Sequence, residues 1–363
     1  MEWWSNVRKM SVPVFVVFVC IVIALRSVGA AENLNQIIGA AKNEPELNFI
    51  ASAQAFGGPR AFADIEAGVN KRFGLSTRIR FTGGPEMNAM AARVLTELKS
   101  GAKASTDIYH GSQSHVSLLH KEKALEQVNW SAVFPWITKP MEIFPGEGVL
   151  IFTSLRGISY NSNLIPKDKV PKTYEDLVDP KLSPTWAGKL AIPPYVSWLV
   201  ELSMIWSEDR VKTFTRKLVA LSGGRLRYGE EERIVSGEFP IMANMGGAVE
   251  QMWKWQAKGA PLVAVIGSTP VLPSYFQLAV PKNSAHPNLA KLFVAFMASK
   301  EGQAILEKHE SVSSHLVEGT RMAKYLRESK IALQPPKDSI DFYLKGEDSG
   351  LQFKEEITKM LKQ

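Results

Sequence analysis

The chain has 363 residues, 43 Lys and Arg against 36 Asp and Glu for a formal net charge of +7, and one cysteine. With 45% apolar residues it has the length and the hydrophobic content for two cored domains, which excludes a disordered chain and a small disulfide-stapled scaffold. The charges are interspersed, as in Lys121-Glu122-Lys123 and Glu230-Glu231-Glu232-Arg233, so they read as solvated faces and no nucleic-acid partner is expected.

At the N-terminus Arg8 and Lys9 precede the uncharged run Val12–Leu25, and the small residues Val28-Gly29-Ala30-Ala31 follow, the plan of a secretory signal peptide. The run is about 14 residues, short of the roughly 20 a helix needs to cross the hydrocarbon core. Residues 1–30 are therefore expected to be cleaved, leaving a periplasmic mature chain that does not span the membrane. Cys20 lies inside the apolar run, so the mature chain carries no thiol for a disulfide, a metal or a nucleophile.

From Leu47 short β-type runs alternate with helices. A strand over Leu47–Ala53 precedes a helix over Pro59–Phe73, whose Phe62, Ile65, Val69 and Phe73 share a face. A strand over Ser76–Thr82 leads to a helix from Pro85 with Met87, Met90, Ala91, Val94, Leu95 and Leu98 on one side. A third strand, Thr106–Tyr109, runs into Gly111-Ser112 and another helix, giving β-α-β-α-β. The long extended stretch Gly148–Asn161 is expected to cross between lobes. A second α/β series follows, with strands at Lys189–Ile192 and Phe239–Asn244 and helices near Trp198–Trp206, Glu208–Leu221, Glu230–Ser236 and Gly247–Lys258. Extended runs Leu262–Ile266 and Tyr275–Val280 lead to helices Pro287–Ala298 and Lys300–Lys308, and the tail from Val317 is helical and charged.

Three ordered landmarks carry a resemblance. The first is Tyr160-Asn161-Ser162-Asn163-Leu164-Ile165, Pro171-Lys172-Thr173-Tyr174-Glu175-Asp176-Leu177 and Gly188-Lys189-Leu190-Ala191-Ile192-Pro193. The second is Gly237-Glu238-Phe239-Pro240-Ile241-Met242 with Gly259-Ala260-Pro261 and Ala279-Val280-Pro281-Lys282-Asn283-Ser284-Ala285-His286-Pro287, and the third is the helix pair around Ala290–Phe296 and Ser299–Ala304. The chain resembles the family 1 extracellular solute-binding proteins, the branch of periplasmic ferric-iron, thiamine, polyamine and phosphonate binders. The resemblance implies a type II periplasmic-binding-protein fold, α/β with two lobes, each a mainly parallel sheet flanked by helices. Its expected boundaries are 31–152 for the first part of lobe 1, 153–270 for lobe 2, 271–315 for the return to lobe 1, and 316–363 for a C-terminal helical segment of either lobe. It implies a monomer without cofactor or catalysis that takes a small solute to ABC permease subunits and their ATPase. In the ferric binders of that family adjacent tyrosines ligate the metal, whereas Ala243-Asn244-Met245-Gly246-Gly247 stands after the Phe239–Met242 strand, so a small organic solute is expected rather than bare ferric ion.

Ligands of open α/β sheets sit beyond the carboxyl ends of strands, where helix N-termini present N–H groups. That rule selects Ser52, Gln54, Phe56 and Gly58 after the first strand, Thr82, Gly83 and Gly84 after the second, and Tyr109, His110 and Ser112 after the third. From the second lobe it selects Tyr195, Trp198 and Asn244, and from the returning segment Tyr275. Each also has a structural reading, the glycines as strand ends and Trp198 as core. His110, His115 and His120 recur every five residues, about 140° apart on a helix, and cannot converge on one metal. A secreted hydrolase is the rival class, but His309-Glu310 lacks a second histidine and Gly157-Ile158-Ser159-Tyr160-Asn161 lacks the second glycine of a nucleophile elbow.

Overall fold

The computed structural model describes residues 33–144, 146–268, 271–345 and 350–362. The expected signal peptide and Cys20 lie outside them. Helix α1 (Leu34–Ala41) starts from a capping box in which the Asn33 side chain accepts the Gln36 N–H at 3.1 Å. In order follow β1 (Glu46–Ala51), α2 (Pro59–Phe73), β2 (Arg78–Gly83), α3 (Met87–Lys99), β3 (Tyr109–Ser112), α4 (Gln113–Lys121), α5 (Trp130–Val133), β4 (Glu142–Phe144) and β5 (Gly148–Leu155). Only Arg156 separates β5 from β6 (Gly157–Asn161). Next are β7 (Leu190–Ile192), α6 (Ser197–Leu202), α7 (Glu208–Ala220), β8 (Ser222–Arg225), α8 (Glu232–Val235), β9 (Ile241–Met245), α9 (Ala248–Gln256) and β10 (Leu262–Val265). The chain ends with β11 (Pro273–Ala279), α10 (Pro287–Met297), α11 (Lys300–Glu310), α12 (Arg321–Ser329), α13 (Pro336–Lys345) and α14 (Gly350–Lys362).

The first half contains the parallel pair β1-β2 and a four-stranded sheet ordered β3-β11-β5-β4. The second half contains a five-stranded sheet ordered β10-β6-β9-β7-β8. The architecture is α/β with helix-flanked sheets, as expected, but the pairing is mixed rather than mainly parallel. Strand β11 runs antiparallel to both β3 and β5, and β6 runs antiparallel to β9 and β10. The cause is the connectivity: strands that leave a sheet and come back to it enter from opposite ends, while β7-β8 and β7-β9 keep the parallel order of α/β crossovers.

The expected third strand is displaced towards Ser112. Side chains take over from the ladder beside β1, where Asn48 N–H donates to Asp107 Oδ2 at 2.8 Å and Ile50 N–H donates to Thr106 Oγ1 at 3.0 Å. Asp107 Oδ1 also accepts from the N–H groups of Ala285 and His286, so one buried carboxylate joins β1 to the start of α10.

Each half has its own core. In the first, Phe49 of β1 packs among Phe56, Phe62, Phe81 and Phe293, and Phe62 stacks on Phe81 with centroids 4.1 Å apart. Burying each such ring removes about 1.5–3 kcal/mol of apolar exposure. Helix α10 is buried along its length and closes this core, so the first half needs residues from both ends of the chain. In the second, Leu190, Ile192, Leu199, Val211, Phe214 and Ile241 pack together, joined by Phe353, Ile357 and Leu361 of α14.

Candidate interlobe cleft

The chain passes between the two sheets twice, at Arg156 and between β10 and β11. Where it passes, a cavity of about 640 Å³ opens, walled from both sides. The first half contributes Ser52, Gln54 and Ala55 after β1, Met87 and Asn88 at the start of α3, His110 and Ser112 of β3, and Ser114 and His115 at the start of α4. The second half contributes Tyr195, Ser197, Glu201, Tyr228, Gly246, Gly247, Glu250 and Gln251. Phe152, Ser154, Arg156, Ser274 and Phe276 form the floor, and Glu310, Val312, Tyr343 and Lys354 complete the wall. Helix N-termini of α4 and α9 thus open on the cavity, as strand-end geometry dictates.

The loop after β1 is held in an uncommon backbone form. Phe56 (φ 56°), Gly57 (φ 91°) and Gly58 (φ 74°) all lie at positive φ, which a Cβ resists at Phe56 and which glycine accepts. The Phe56 ring pays back that strain through full burial and by packing on the His110 imidazole at 4.9 Å. His110 in turn stacks on Phe276 at 5.7 Å, and Phe276 on Phe152 at 4.5 Å, so an aromatic tier lies under the cavity. Across it, the Tyr195 and Tyr228 rings sit 4.8 Å apart.

The floor carries one buried ion pair. Arg156 donates from Nε to Ser274 Oγ at 2.9 Å, and its terminal nitrogens reach both carboxylate oxygens of Glu201. The Tyr343 hydroxyl donates to the same carboxylate. Arg156 and Glu201 neutralise one another, and burial shifts the neighbouring groups towards their uncharged forms. Desolvation pushes the Tyr228 phenol up to about 12 and draws His110 down to about 3 and His115 down to about 4. It raises the Glu250 carboxyl to about 8, against the hydrogen bonds that it accepts, and Glu310 to about 7. Among the described residues three buried polar atoms on this cavity have no hydrogen-bond partner: His110 Nε2, Gln251 Oε1 and Glu310 Oε2. A ligand that offers hydrogen bonds would satisfy them.

Of the residues selected by strand-end reasoning, Ser52, Gln54, His110, Ser112 and Tyr195 line the cavity. The others lie elsewhere. Phe56 is core, Tyr109 is buried with its hydroxyl donating to Met87 O at 3.0 Å, and Tyr275 is buried with its hydroxyl donating to Gln334 O at 2.7 Å. Gly58, Thr82, Gly83 and Gly84 are outside the lining, with Gly84 packed over Ile50. Asn244 and Trp198 stand one layer behind it, Asn244 accepting from Tyr174 Oη at 2.7 Å and donating to Tyr228 Oη at 3.0 Å. The three histidines do not share one helix: His110 is on β3, while on α4 His115 bonds the Ser112 hydroxyl at 2.8 Å and His120 bonds Glu147 at 2.7 Å.

Sequence reasoning missed Arg156, Glu201, Tyr228, Phe276 and Tyr343. Two left a trace: Arg156 is the lone charge within Gly148–Asn161, and Glu201 interrupts the apolar stretch Trp198–Leu202. A charge alone in a buried element signals a partner. Among the described residues no group of three or more His, Cys, Asp or Glu converges as a metal site.

Residues 231–309 match the family model of the bacterial extracellular solute-binding proteins. No curated protein matches the sequence. Among solved structures the chain is similar to iron-bound HitA from Pseudomonas aeruginosa, at 18% identity and a TM-score of 0.67, covering 86% of this chain and 99% of that one. It is similar to the substrate-binding protein of an ABC transporter from Agrobacterium tumefaciens, at 17% and 0.68, covering 89% and 97%. It is also similar to the periplasmic binding protein AfuA from Actinobacillus pleuropneumoniae, bound to fructose-6-phosphate, at 16% and 0.68, covering 87% and 98%. These likenesses run the length of both chains, and they put a fold beside the sequence match. Residues 231–309 therefore carry a match to the bacterial extracellular solute-binding family, in a chain with the fold of the type II periplasmic binding proteins.

Proposed function

We propose that the protein is the solute-binding component of an ABC importer, capturing a small organic solute in the interlobe cleft and presenting it to permease subunits at the inner membrane. The observation that carries this reading is a cavity of about 640 Å³ shared by both halves, with aromatic faces beneath and unpartnered polar atoms at its wall. A solute touching Ser52, His110 and Ser112 on one side and Tyr195 and Gln251 on the other would stabilise the closed form over the open one. No chemistry is required of the site, and the mature chain works in the periplasm as a monomer with lobes near 31–152 with 271–315, and 153–270.

Purified residues 31–363 should be screened by thermal shift against amines, thiamine, phosphonates, sugar phosphates and carboxylates. A ligand at a hundred times its dissociation constant adds about 2.7 kcal/mol. A clear shift from one class supports the reading, and silence from protein stripped of any bound solute counts against it. A second reading, a ferric complex, is favoured by one observation: Tyr195 and Tyr228, 33 positions apart, bring two phenols together in the cleft. Ferric citrate with a visible absorption scan separates the two, since phenolate-bound iron is coloured and an organic solute is not.

A further inference from the structure

The C-terminal helices are fastened to both halves. Helix α13 lies on α4, with Ile340 buried against the core that holds Met90, Val116, Leu119 and Tyr275 of the first half. Helix α14 lies on α6 and α7 of the second half, through Phe353, Ile357 and Leu361 and through the Lys212–Glu356 pair at 2.7 Å. Tyr343 belongs to α13 and Glu201 to α6, so the hydrogen bond between them runs directly from one half to the other at the cavity wall.

We infer that Tyr343 is a positioning residue of the solute site, a latch that ties Glu201 to the first half and so fixes the relative setting of the two sheets. Its acceptor is already committed to Arg156, so the latch holds the floor in register with the far wall. Any opening or closing of the cleft must stretch or break this contact, because its two ends ride on different halves. A hydrogen bond to a charged acceptor, held away from water, is strong enough to shift a two-state ratio about tenfold or more. The inference rests on the reading of the cleft as a solute site, but it concerns the solute-free protein.

The test uses the full mature chain, which has no cysteine of its own, with spin labels at introduced cysteines replacing the exposed Lys103 and Lys217, one on each half. Distance distributions are recorded without solute for the parent, for Tyr343→Phe, which keeps the ring, and for Phe353→Ala, which loosens α14 away from the cleft. Far-UV circular dichroism verifies that each is folded. Expected is a second distance population, about tenfold enriched over the parent, in Tyr343→Phe and a change in the same direction in Phe353→Ala. A Tyr343→Phe distribution that superimposes on the parent would overturn the latch, whatever the Phe353→Ala variant and the solute screen show.

Discussion

The Tyr343 hydroxyl donates to the carboxylate of Glu201, 142 positions earlier in the chain. That carboxylate is also the only charged group paired with Arg156 among the described contacts, and both are almost withdrawn from water. Removing one member of such a pair costs more than the pair contributes, because the other is left buried and unmatched. Glu201→Ala is therefore expected to destabilise folding by about 3–5 kcal/mol, and Arg156→Met with Glu201→Leu together by much less. Urea unfolding of the three proteins checks this; equal losses in the single and double variants would refute it.

A Cβ on Gly57 would stand 2.6 Å from His309 Cβ, at a φ of 91° that favours glycine. Gly57→Ala should cost about 1–3 kcal/mol through overpacking and backbone strain, lowering Tm by several degrees. Because Gln54 and Ala55 in the same loop line the cavity, solute affinity should fall with it. An unchanged melting curve would show that the loop relaxes freely.

The buried carboxyls and imidazoles give stability two opposite slopes with pH. Glu250 at about 8 and Glu310 at about 7 stand above the ordinary 4.5, so the unfolded chain gives up these protons first and stability declines as pH rises towards 8. His110 at about 3 with His115 and His315 at about 4 stand below 6.5, so below that pH the unfolded chain takes up protons that the fold refuses, and stability declines on acidification. Melting temperature should peak near pH 6.5, and Glu250→Gln should flatten the alkaline fall. A variant whose fall between pH 6.5 and 8.5 matches the parent would remove Glu250 from the account.

Once a solute is in hand, His110→Ala and Gln251→Ala should each weaken it by about tenfold, since each removes a polar atom that the protein leaves unpartnered. Calorimetric titration reads this directly. Tyr275→Phe, whose hydroxyl is spent on Gln334 O at 2.7 Å, should bind as the parent does.

The elements were far more legible in the sequence than the site. Helix α2 spans Pro59–Phe73 as its apolar spacing and flanking Gly58 and Gly74 require, and the extended stretch from Gly148 became β5 and β6. Strands β4 and β8 were invisible, the first only three residues long and the second written Ser222-Gly223-Gly224-Arg225. Strand-end loops yielded Ser52, Gln54, His110, Ser112 and Tyr195 because that rule depends on local order alone. Arg156, Glu201 and Tyr343 meet only through tertiary packing, and no spacing along the chain encodes a contact between residues that far apart.

The placement of β11 and α10 sets an order of assembly. The second sheet draws its strands from an unbroken stretch, residues 157–265, whereas β3 and β5 wait for β11 and the core around Phe49 waits for Phe293. Contacts between distant positions form late, because closing the intervening loop costs entropy before any contact rewards it. The core around β1 therefore waits for the 244 residues that separate Phe49 from Phe293, and α14 seals the second half later still, so neither half is finished before the end of the chain is in hand.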